Sequence, residues 1–307
     1  MTRPQRVLVT GGRGFLGSHV VRALLASDRD VAVLTRSPSA LPLAGGEADK
    51  VSLMTGDFLD REQLRQSISA FGPDACIHLA WYAEPGRYLE SPENLSALAG
   101  TLALLQALID VGCATVAMAG SCAEYDTDQG WLTEDTPLRP GTIYAASKAA
   151  GSMLVQQLAK HSDTRVAWAR IFYPYGPFED RRRAVPALIA SLLEGRRFAA
   201  STGDQVRDYV YGKDAADAFV TLIDQRASGA FNVASGVPIT IRQLMETIGD
   251  QLGGRDLIDF GAAPPRAWEP KFIAGDTARL RSLGWAPRYT LERGLEETIA
   301  WCREQPR

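Results

Sequence analysis

Four glycines between a short apolar run and a helical stretch constrain the fold of this chain more than any other feature. They are Gly11, Gly12, Gly14 and Gly17 in VTGGRGFLGSH, which overlaps the end of the apolar run RVLVT. The spacing fits both G-x-x-G-x-x-G and G-x-G-x-x-G, in which glycine permits a tight turn, close approach of the backbone to a pyrophosphate and close helix–strand packing. The following helix N-terminus offers N–H groups to that phosphate. The loop therefore predicts a dinucleotide-binding unit; the alternative is a glycine-rich turn without a ligand.

The first half of the chain alternates apolar runs with helical stretches. Runs such as DVAVLTR and TVAMAGS lack polar alternation, and helical stretches such as REQLRQSISAF separate them. Strands of this kind are typical of a parallel sheet covered on both faces. We predict an α/β fold, a Rossmann-type doubly wound parallel sheet over residues 1–172. A smaller α/β substrate-binding region is predicted over 173–307, with 212–236 packing back on the sheet.

Charge, hydropathy and cysteine usage exclude several other classes. The formal net charge is -3 and the sequence pI is about 5.7, with lysine and arginine mostly dispersed, which argues against a nucleic-acid partner. No apolar run reaches the roughly 18 residues of a membrane span, and MTRPQRVLVTGG has no signal-peptide shape. The 4 cysteines and 3 histidines show no metal-ligand spacing. We expect a cytoplasmic protein without a metal.

The end of the second predicted strand discriminates between the two nicotinamide dinucleotides. A carboxylate there holds the ribose 2′-hydroxyl of NAD, whereas an arginine accommodates the 2′-phosphate of NADP. The strand ends in VLTRS, with Thr35 at the carboxylate position and Arg36 beside it, and Arg13 adds a second positive charge from the loop. The sequence therefore favours NADP(H) over NAD(H); the alternative is that Arg36 is a solvated surface residue.

Tyr144 and Lys148 lie four residues apart in IYAASKAAG, and this spacing places them on one face of a helix. An ammonium beside a phenol lowers the pKa of the phenol, which can then exchange a proton with a carbonyl oxygen. Ser121, at the end of the fifth strand, lies where open parallel sheets bind ligands and can reach the same oxygen. Without Ser121 the pair alone would favour an ordinary helix with an exposed lysine and a half-buried tyrosine.

Taken together, these motifs resemble the extended short-chain dehydrogenase/reductase family of nucleotide-sugar enzymes over nearly the whole chain. TGGRGFLGSH matches the family's cofactor loop, GDFLD the segment whose acid contacts adenine, and HLAW the stretch along the cofactor. Ser121, Tyr144 and Lys148 match the catalytic Ser/Thr, Tyr and Lys, and the resemblance implies that Lys148 also holds the nicotinamide ribose. It implies cofactor contacts from Gly11, Arg13, Gly14, Phe15, Leu16, Gly17, Arg36, Asp57, Phe58, Leu79, Ala80, Tyr144, Lys148 and Tyr173.

Later motifs resemble the family's substrate-binding segments. In GDQVRDYVYGKDAADA and APPRAWEP, Arg207 and Arg266 match two arginines that contact the nucleotide diphosphate. A planar guanidinium suits that role because it binds phosphate oxygens in pairs and keeps its charge. RIFYPYGP resembles the family's R-x-F-N-x-Y-G-P loop, with Tyr173 in place of asparagine. The implied substrate contacts are Tyr82, Glu84, Ser121, Tyr144, Tyr173, Val185, Arg207 and Arg266; for Tyr82, Glu84, Tyr173 and Val185 an ordinary loop or packing role is the alternative.

Departures from the family pattern narrow the chemistry that the resemblance implies. Related 4,6-dehydratases carry an Asp-Glu pair after the catalytic Ser/Thr, whereas this chain has Cys122 and Ala123. GSCAEY with FYPYGP is most similar to 4-ketoreductases such as CDP-abequose synthase-like enzymes. The expected activity is NADPH-dependent reduction of the C4 ketone of an NDP-4-keto-6-deoxysugar in deoxysugar biosynthesis.

Three other functions stay open at this point. The same three residues with tightly held NAD would make an NDP-sugar 4-epimerase, and the same fold without catalysis would make an NADP-binding regulator. A reductase of an unrelated carbonyl compound is disfavoured by the two diphosphate-type arginines. By analogy with the family, helices 92–111 and 142–161 are expected to pair across a two-fold axis in a homodimer.

Overall fold

The structure is a computed structural model that describes residues 3–36, 46–58, 60–264 and 270–305. Its strands are β1 (Arg6–Thr10), β2 (Asp30–Thr35), β3 (Val51–Thr55), β4 (Ala75–His78), β5 (Thr115–Ser121), β6 (Trp131–Leu132), β7 (Arg165–Ile171), β8 (Tyr173–Tyr175), β9 (Phe198–Ala200), β10 (Val206–Tyr211), β11 (Gly229–Val233), β12 (Pro238–Thr240), β13 (Ile258–Phe260) and β14 (Phe272–Gly275). Its helices are α1 (Phe15–Leu25), α2 (Arg61–Phe71), α3 (Glu93–Asp110), α4 (Ile143–Ala159), α5 (Ala184–Leu193), α6 (Gly212–Asp224), α7 (Ile241–Leu252), α8 (Ala278–Arg281) and α9 (Leu291–Glu304). Within the described ranges, no helix combines the length and apolarity needed to cross a membrane.

A seven-stranded parallel sheet forms the larger part of the molecule, in the order β11-β7-β5-β4-β1-β2-β3. From β1 the chain first adds β2 and β3 on one side and then β4, β5, β7 and β11 on the other. The strand order therefore reverses between β1 and β4, and such a reversal opens a crevice at the carboxyl ends of the strands. The predicted Rossmann-type fold class is confirmed.

Both faces of the inner strands of this sheet are buried, which explains the missing polar alternation. Successive side chains on β1 point to opposite faces: Val7 and Val9 join the core under α1 and α6, and Leu8 joins the core under α2, α3 and α4. All three side chains are 0% exposed. In a strand that meets helices on both sides nearly every side chain is buried, so most positions are apolar.

The second half of the chain contributes to both parts of the molecule. α6 packs against α1 and β11 pairs with β7, so residues 212–233 lie on the larger sheet. The smaller sheet has the order β12-β10-β14-β6, with β8 paired to β10, and β9 pairs separately with β13. Helices α5, α7 and α9 pack around their own hydrophobic core beside it. Because β8 follows β7 directly, the smaller part is held next to the carboxyl ends of the larger sheet.

Candidate active site

The glycine loop makes the tight turn that its spacing predicts. Gly11 has a φ of 71°, a left-handed value that glycine adopts without strain, and the Gly14 N–H donates to the Gly11 carbonyl at 2.9 Å. A Cβ on Gly17 would overlap the Gly11 oxygen. α1 begins directly after Gly14, and its first turn carries no acidic side chain. The loop therefore forms a cradle of backbone that suits a pyrophosphate.

The segment after β4 lies directly against the glycine loop. A Cβ on Gly11 would lie 2.7 Å from the Ala80 nitrogen, and the Ala80 N–H donates to Thr10 Oγ1 at 3.2 Å. Thr10 Oγ1 also contacts His78 Nδ1 at 2.7 Å. Burial lowers the pKa of His78 to about 3, so this imidazole is neutral near pH 7. Leu79 and Ala80 thus line the glycine loop.

The residues predicted to contact the adenosine half lie at the outer end of the crevice. Arg36 follows β2 and is exposed, as is Arg13 in the glycine loop. Asp57 follows β3 and is exposed, whereas Phe58 is half-buried with its ring edge-on to His78, 5.9 Å between centroids. These positions follow strands β1, β2 and β3, which are neighbours in the sheet.

Ser121 and Tyr144 are brought together at the carboxyl end of β5. Ser121 is the last residue of β5, and its side chain lies close enough to the Tyr144 hydroxyl to lower the pKa of that phenol. Thr142 caps α4 by accepting from the Ala145 N–H at 3.1 Å, which places Tyr144 in the first turn of the helix. Lys148 lies one turn later on the same face. The local chain geometry therefore groups the three side chains predicted to act together.

Lys148 is 3% exposed and has two close partners. Its ammonium donates to the Ala119 carbonyl at 2.7 Å and lies 3.6 Å from the centroid of the Trp81 ring. The Trp81 indole N–H donates to Asn94 Oδ1 at 2.8 Å, which fixes the plane of the ring. Trp81 also meets the Tyr144 ring edge-on at 6.4 Å. The indole therefore links the segment beside the glycine loop to both Lys148 and Tyr144.

Burial shifts the pKa values of Tyr144 and Lys148 in opposite directions, and the direction for Tyr144 differs from the one that the sequence predicted. Burial raises the pKa of the Tyr144 phenol above its usual value, although the nearby Ser121 side chain partly offsets this. It also lowers the pKa of the Lys148 ammonium. The sequence predicted that Lys148 lowers the pKa of Tyr144; in the structure desolvation outweighs any such effect. Tyr144 is accordingly a protonated phenol near pH 7, in the form that donates a proton.

The two positions after Ser121 carry no proton shuttle. Cys122 is buried, and burial raises the pKa of its thiol to about 12. Ala123 has no titratable group. The next residue, Glu124, is 0% exposed and binds the Ser121 N–H, the Trp168 indole and Arg170. Its oxygens are thus occupied within the protein. Glu124 was not predicted as a site residue, although it lies in the stretch GSCAEY.

The segment after β4 also forms a wall over Tyr144. The Tyr88 ring meets the Tyr144 ring edge-on at 4.9 Å, and the Arg183 guanidinium lies 5.0 Å from the Tyr88 centroid. The predicted substrate residues Tyr82 and Glu84 hydrogen-bond to each other at 3.1 Å. Tyr88 was not predicted as a site residue, and Trp81 was predicted only as part of the stretch HLAW along the cofactor, because nothing in their spacing relates them to Tyr144.

The remaining predicted substrate residues do not all lie in the same part of the structure. Arg207 on β10 is 3% exposed, donates to the Val206 carbonyl at 2.8 Å and lies 5.3 Å from the Tyr173 centroid. Tyr173 is half-buried on the neighbouring β8. Val185 is 4% exposed and belongs to the hydrophobic core around α5, which matches the packing alternative. Arg266 lies outside the described residues.

Comparison with known proteins places this chain among nucleotide-sugar enzymes. Residues 7–234 match the family described as "NAD dependent epimerase/dehydratase family". The chain is 31% identical to a UDP-glucose 4-epimerase of Mycolicibacterium smegmatis, covering 98% of this chain and 99% of that protein. It is 30% identical to a dTDP-glucose 4,6-dehydratase of Mycobacterium tuberculosis, over 97% and 93% of the two chains. Its structure is similar to that of the Thermus thermophilus UDP-glucose 4-epimerase in complex with NAD, with a TM-score of 0.86, 27% identity and coverage of 98% and 99%.

Proposed function

The chain belongs to the NAD-dependent epimerase/dehydratase family, and from this premise we propose that it is an NADPH-dependent 4-ketoreductase. The substrate is an NDP-4-keto-6-deoxysugar, and the reaction belongs to deoxysugar biosynthesis. Members of this family modify nucleotide sugars and use a nicotinamide dinucleotide.

One observation carries the choice of reaction. The groups needed for carbonyl reduction lie together, since the Ser121 side chain lies beside the Tyr144 hydroxyl and Lys148 lies one helical turn after Tyr144. The groups needed for elimination of water are missing, because positions 122 and 123 are Cys122 and Ala123. The neighbouring carboxylate of Glu124 is bound to Arg170 at 2.8 Å and is 0% exposed. Reduction requires only a proton donor at oxygen, and this site has one.

Each residue has a definite task in this reaction. Bound NADPH supplies the hydride for C4. Tyr144 donates its proton to the ketone oxygen, and the raised pKa of its phenol keeps that proton in place near pH 7. Ser121 hydrogen-bonds the same oxygen and stabilises its developing charge. Lys148 provides positive charge near that oxygen and orients the nicotinamide ribose. Arg207 and Arg266 hold the diphosphate, so that binding of the remote nucleotide positions the reacting carbon.

The cofactor preference rests on Arg36, which is exposed at the end of β2 where family members specific for NAD carry a carboxylate. We expect Arg36→Ala to raise the Kd for NADPH about 10- to 100-fold, since a charge-assisted hydrogen bond contributes about 1.5–3 kcal/mol. The Kd for NADH should change little. Fluorescence titration measures both, with Arg303→Ala, an exposed arginine on α9, as the control. Equal weakening of both cofactors, or no weakening, contradicts the assignment of Arg36.

The proposed activity is tested directly with substrates. Purified protein is incubated with NADPH and a panel of NDP-4-keto-6-deoxyhexoses that differ in the base and the sugar. The expected result is loss of absorbance at the nicotinamide band in proportion to one alcohol product, whose stereochemistry is then determined. Lack of NADPH oxidation with every member of the panel contradicts the proposal.

An NDP-sugar 4-epimerase is the second candidate, favoured by the full-length similarity to UDP-glucose 4-epimerases. An epimerase returns the hydride to the same substrate and therefore retains its NAD. Dinucleotide released on denaturing the purified protein, together with interconversion of NDP-sugars without added cofactor, would identify this activity. A reductase instead consumes one NADPH for each product molecule.

A homodimer through α3 and α4 is also proposed, because both helices expose large apolar side chains. Leu95 on α3 is 60% exposed, and Met153 and Leu154 on α4 are 59% and 45% exposed. Apolar surface of this kind is typical of an interface. We expect light scattering to show a dimer for the native chain and a monomer for Met153→Glu. Val237→Glu, at a 66% exposed position elsewhere, is the matched control and should stay dimeric.

A further inference from the structure

Glu124 occupies a fully buried position immediately behind Ser121. It ends a short 3-10 helix, Cys122–Glu124, that follows β5 directly. Its Oε1 accepts from the Ser121 N–H at 2.7 Å and from the Trp168 indole at 2.9 Å, and its Oε2 accepts from Arg170 Nε at 2.8 Å. The Ser121 hydroxyl in turn accepts from the Ala123 N–H at 3.2 Å, which closes a reciprocal cap. The carboxylate therefore fixes the backbone that carries Ser121.

The packing around this carboxylate leaves little room for movement. A Cβ on Gly120 would overlap Trp168 Nε1 and would lie 2.7 Å from Glu124 Oε1. Arg170 continues the network by donating to the Tyr125 hydroxyl at 2.9 Å, and that hydroxyl donates to Asn232 Oδ1 at 2.7 Å. Hydrogen bonds thus run from the end of β5 across β7 to β11. Desolvated charges persist only with such complete pairing.

We infer that Glu124 is a positioning residue of the reduction, which holds Ser121 in place and puts a negative charge at the end of β5, the strand to which Lys148 also donates. This inference rests on the proposed function. Glu124 touches neither cofactor nor substrate, since its oxygens are bound within the protein. It acts through the backbone of Ser121 and through its electric field.

The field of Glu124 acts on both titratable groups in the same sense. Its negative charge raises the pKa of Lys148, against the lowering by burial, and raises that of Tyr144 further. Other titratable groups also lie around these three side chains. Tyr144 also faces Tyr88, and Lys148 also faces His78. The groups around Glu124 are Arg170, Tyr125, Cys122, Tyr144 and Lys148. Reduction needs both groups protonated, so activity is lost as pH rises through their pKa values. Removal of the charge therefore moves the alkaline limb to lower pH.

The test is Glu124→Gln, which keeps the size of the side chain and removes its charge. We expect kcat to fall about 10-fold with little change in KM for NADPH, and the alkaline limb of kcat to move down by roughly one pH unit. The matched control is Glu134→Gln. Glu134 is another buried carboxylate, 5% exposed, that accepts a backbone N–H, from Asn232, at 2.8 Å. It should retain the native pH profile.

A second measurement requires no substrate. The chain has five lysines, so 13C-labelled lysine gives few NMR signals, and Lys148→Arg assigns that of Lys148; the five are Lys50, Lys148, Lys160, Lys213 and Lys271. The Lys148 signal should titrate at lower pH in Glu124→Gln than in the native chain. If native protein oxidises no NADPH with any substrate, the proposed function fails, while this titration still tests Glu124.

Glu124→Asp separates position from charge, because it keeps the carboxylate but withdraws it from the Ser121 N–H. It should lower kcat while the alkaline limb stays in place, and it replaces Glu124→Gln if that variant does not fold. A Glu124→Gln protein with lower melting temperature but native pH profile and native Lys148 titration overturns the electrostatic role. Native kcat in Glu124→Asp overturns the positioning role.

Discussion

Replacement of Tyr144 by phenylalanine is expected to lower kcat for ketone reduction about 10²- to 10⁴-fold, which is the usual contribution of a positioned proton donor. The variant loses only a hydroxyl, and the edge-on contacts of its ring with Trp81 and Tyr88 remain. The Kd for NADPH should stay within a factor of a few, because the phosphates are expected to bind at the glycine loop, to which Tyr144 does not belong. Stopped-flow measurement of single-turnover hydride transfer separates the chemical step from cofactor binding.

Tyr289→Phe is the matched control, since Tyr289 packs against Tyr211 and Lys213, away from Tyr144. It should retain the native rate. If Tyr144→Phe reduces substrate at the native rate, another group donates the proton and the assignment of Tyr144 is wrong. If the variant also supports every biological activity of the native protein, the non-catalytic regulator becomes the better interpretation.

Most of the larger sheet could be predicted from the sequence because its signals are local. The stretch REQLRQSISAF is the helix Arg61–Phe71 residue for residue, and TVAMAGS is the strand Thr115–Ser121. The two-residue strand Trp131–Leu132 was not predicted. It exists because it pairs with Ala274 and Gly275, more than a hundred residues later, and no short-range pattern encodes such a pairing.

The candidate site also combines features that the local sequence predicts with features that depend on distant residues. The pairing of Ser121 with Tyr144 follows from two strand and helix ends that the sequence marks clearly. The surroundings of Lys148 do not, because the indole that covers its ammonium is Trp81, on another element. Burial by such distant residues determines the direction of each pKa shift, so helical spacing alone gave the wrong sign for Tyr144. Glu124 was overlooked for the same reason, since its partners Trp168 and Arg170 lie on β7.

Gly17→Ala is expected to raise the Kd for NADPH about 10- to 100-fold and to lower the melting temperature. The added Cβ would overlap the oxygen of Gly11 and would lie 2.7 Å from both the Gly11 carbonyl carbon and Gly12 Cα. These are backbone atoms, so no side chain can rotate away, and either α1 or the glycine loop must move. Strain of this kind costs about 1–3 kcal/mol, and the movement displaces the N–H groups that would hold the pyrophosphate.

Gly141→Ala separates this effect from a general cost of replacing glycine. A Cβ on Gly141 would meet nothing within 4 Å, so this variant should keep the native melting temperature and NADPH affinity. Thermal melts with and without NADPH measure both properties at once, since a ligand that binds only the folded protein raises its melting temperature. A folded Gly17→Ala protein that is stabilised by NADPH as strongly as the native chain would show that the cofactor binds elsewhere. Ser121, Tyr144 and Lys148 would then no longer face a hydride donor, because their proposed roles depend on a nicotinamide that reaches them from this loop.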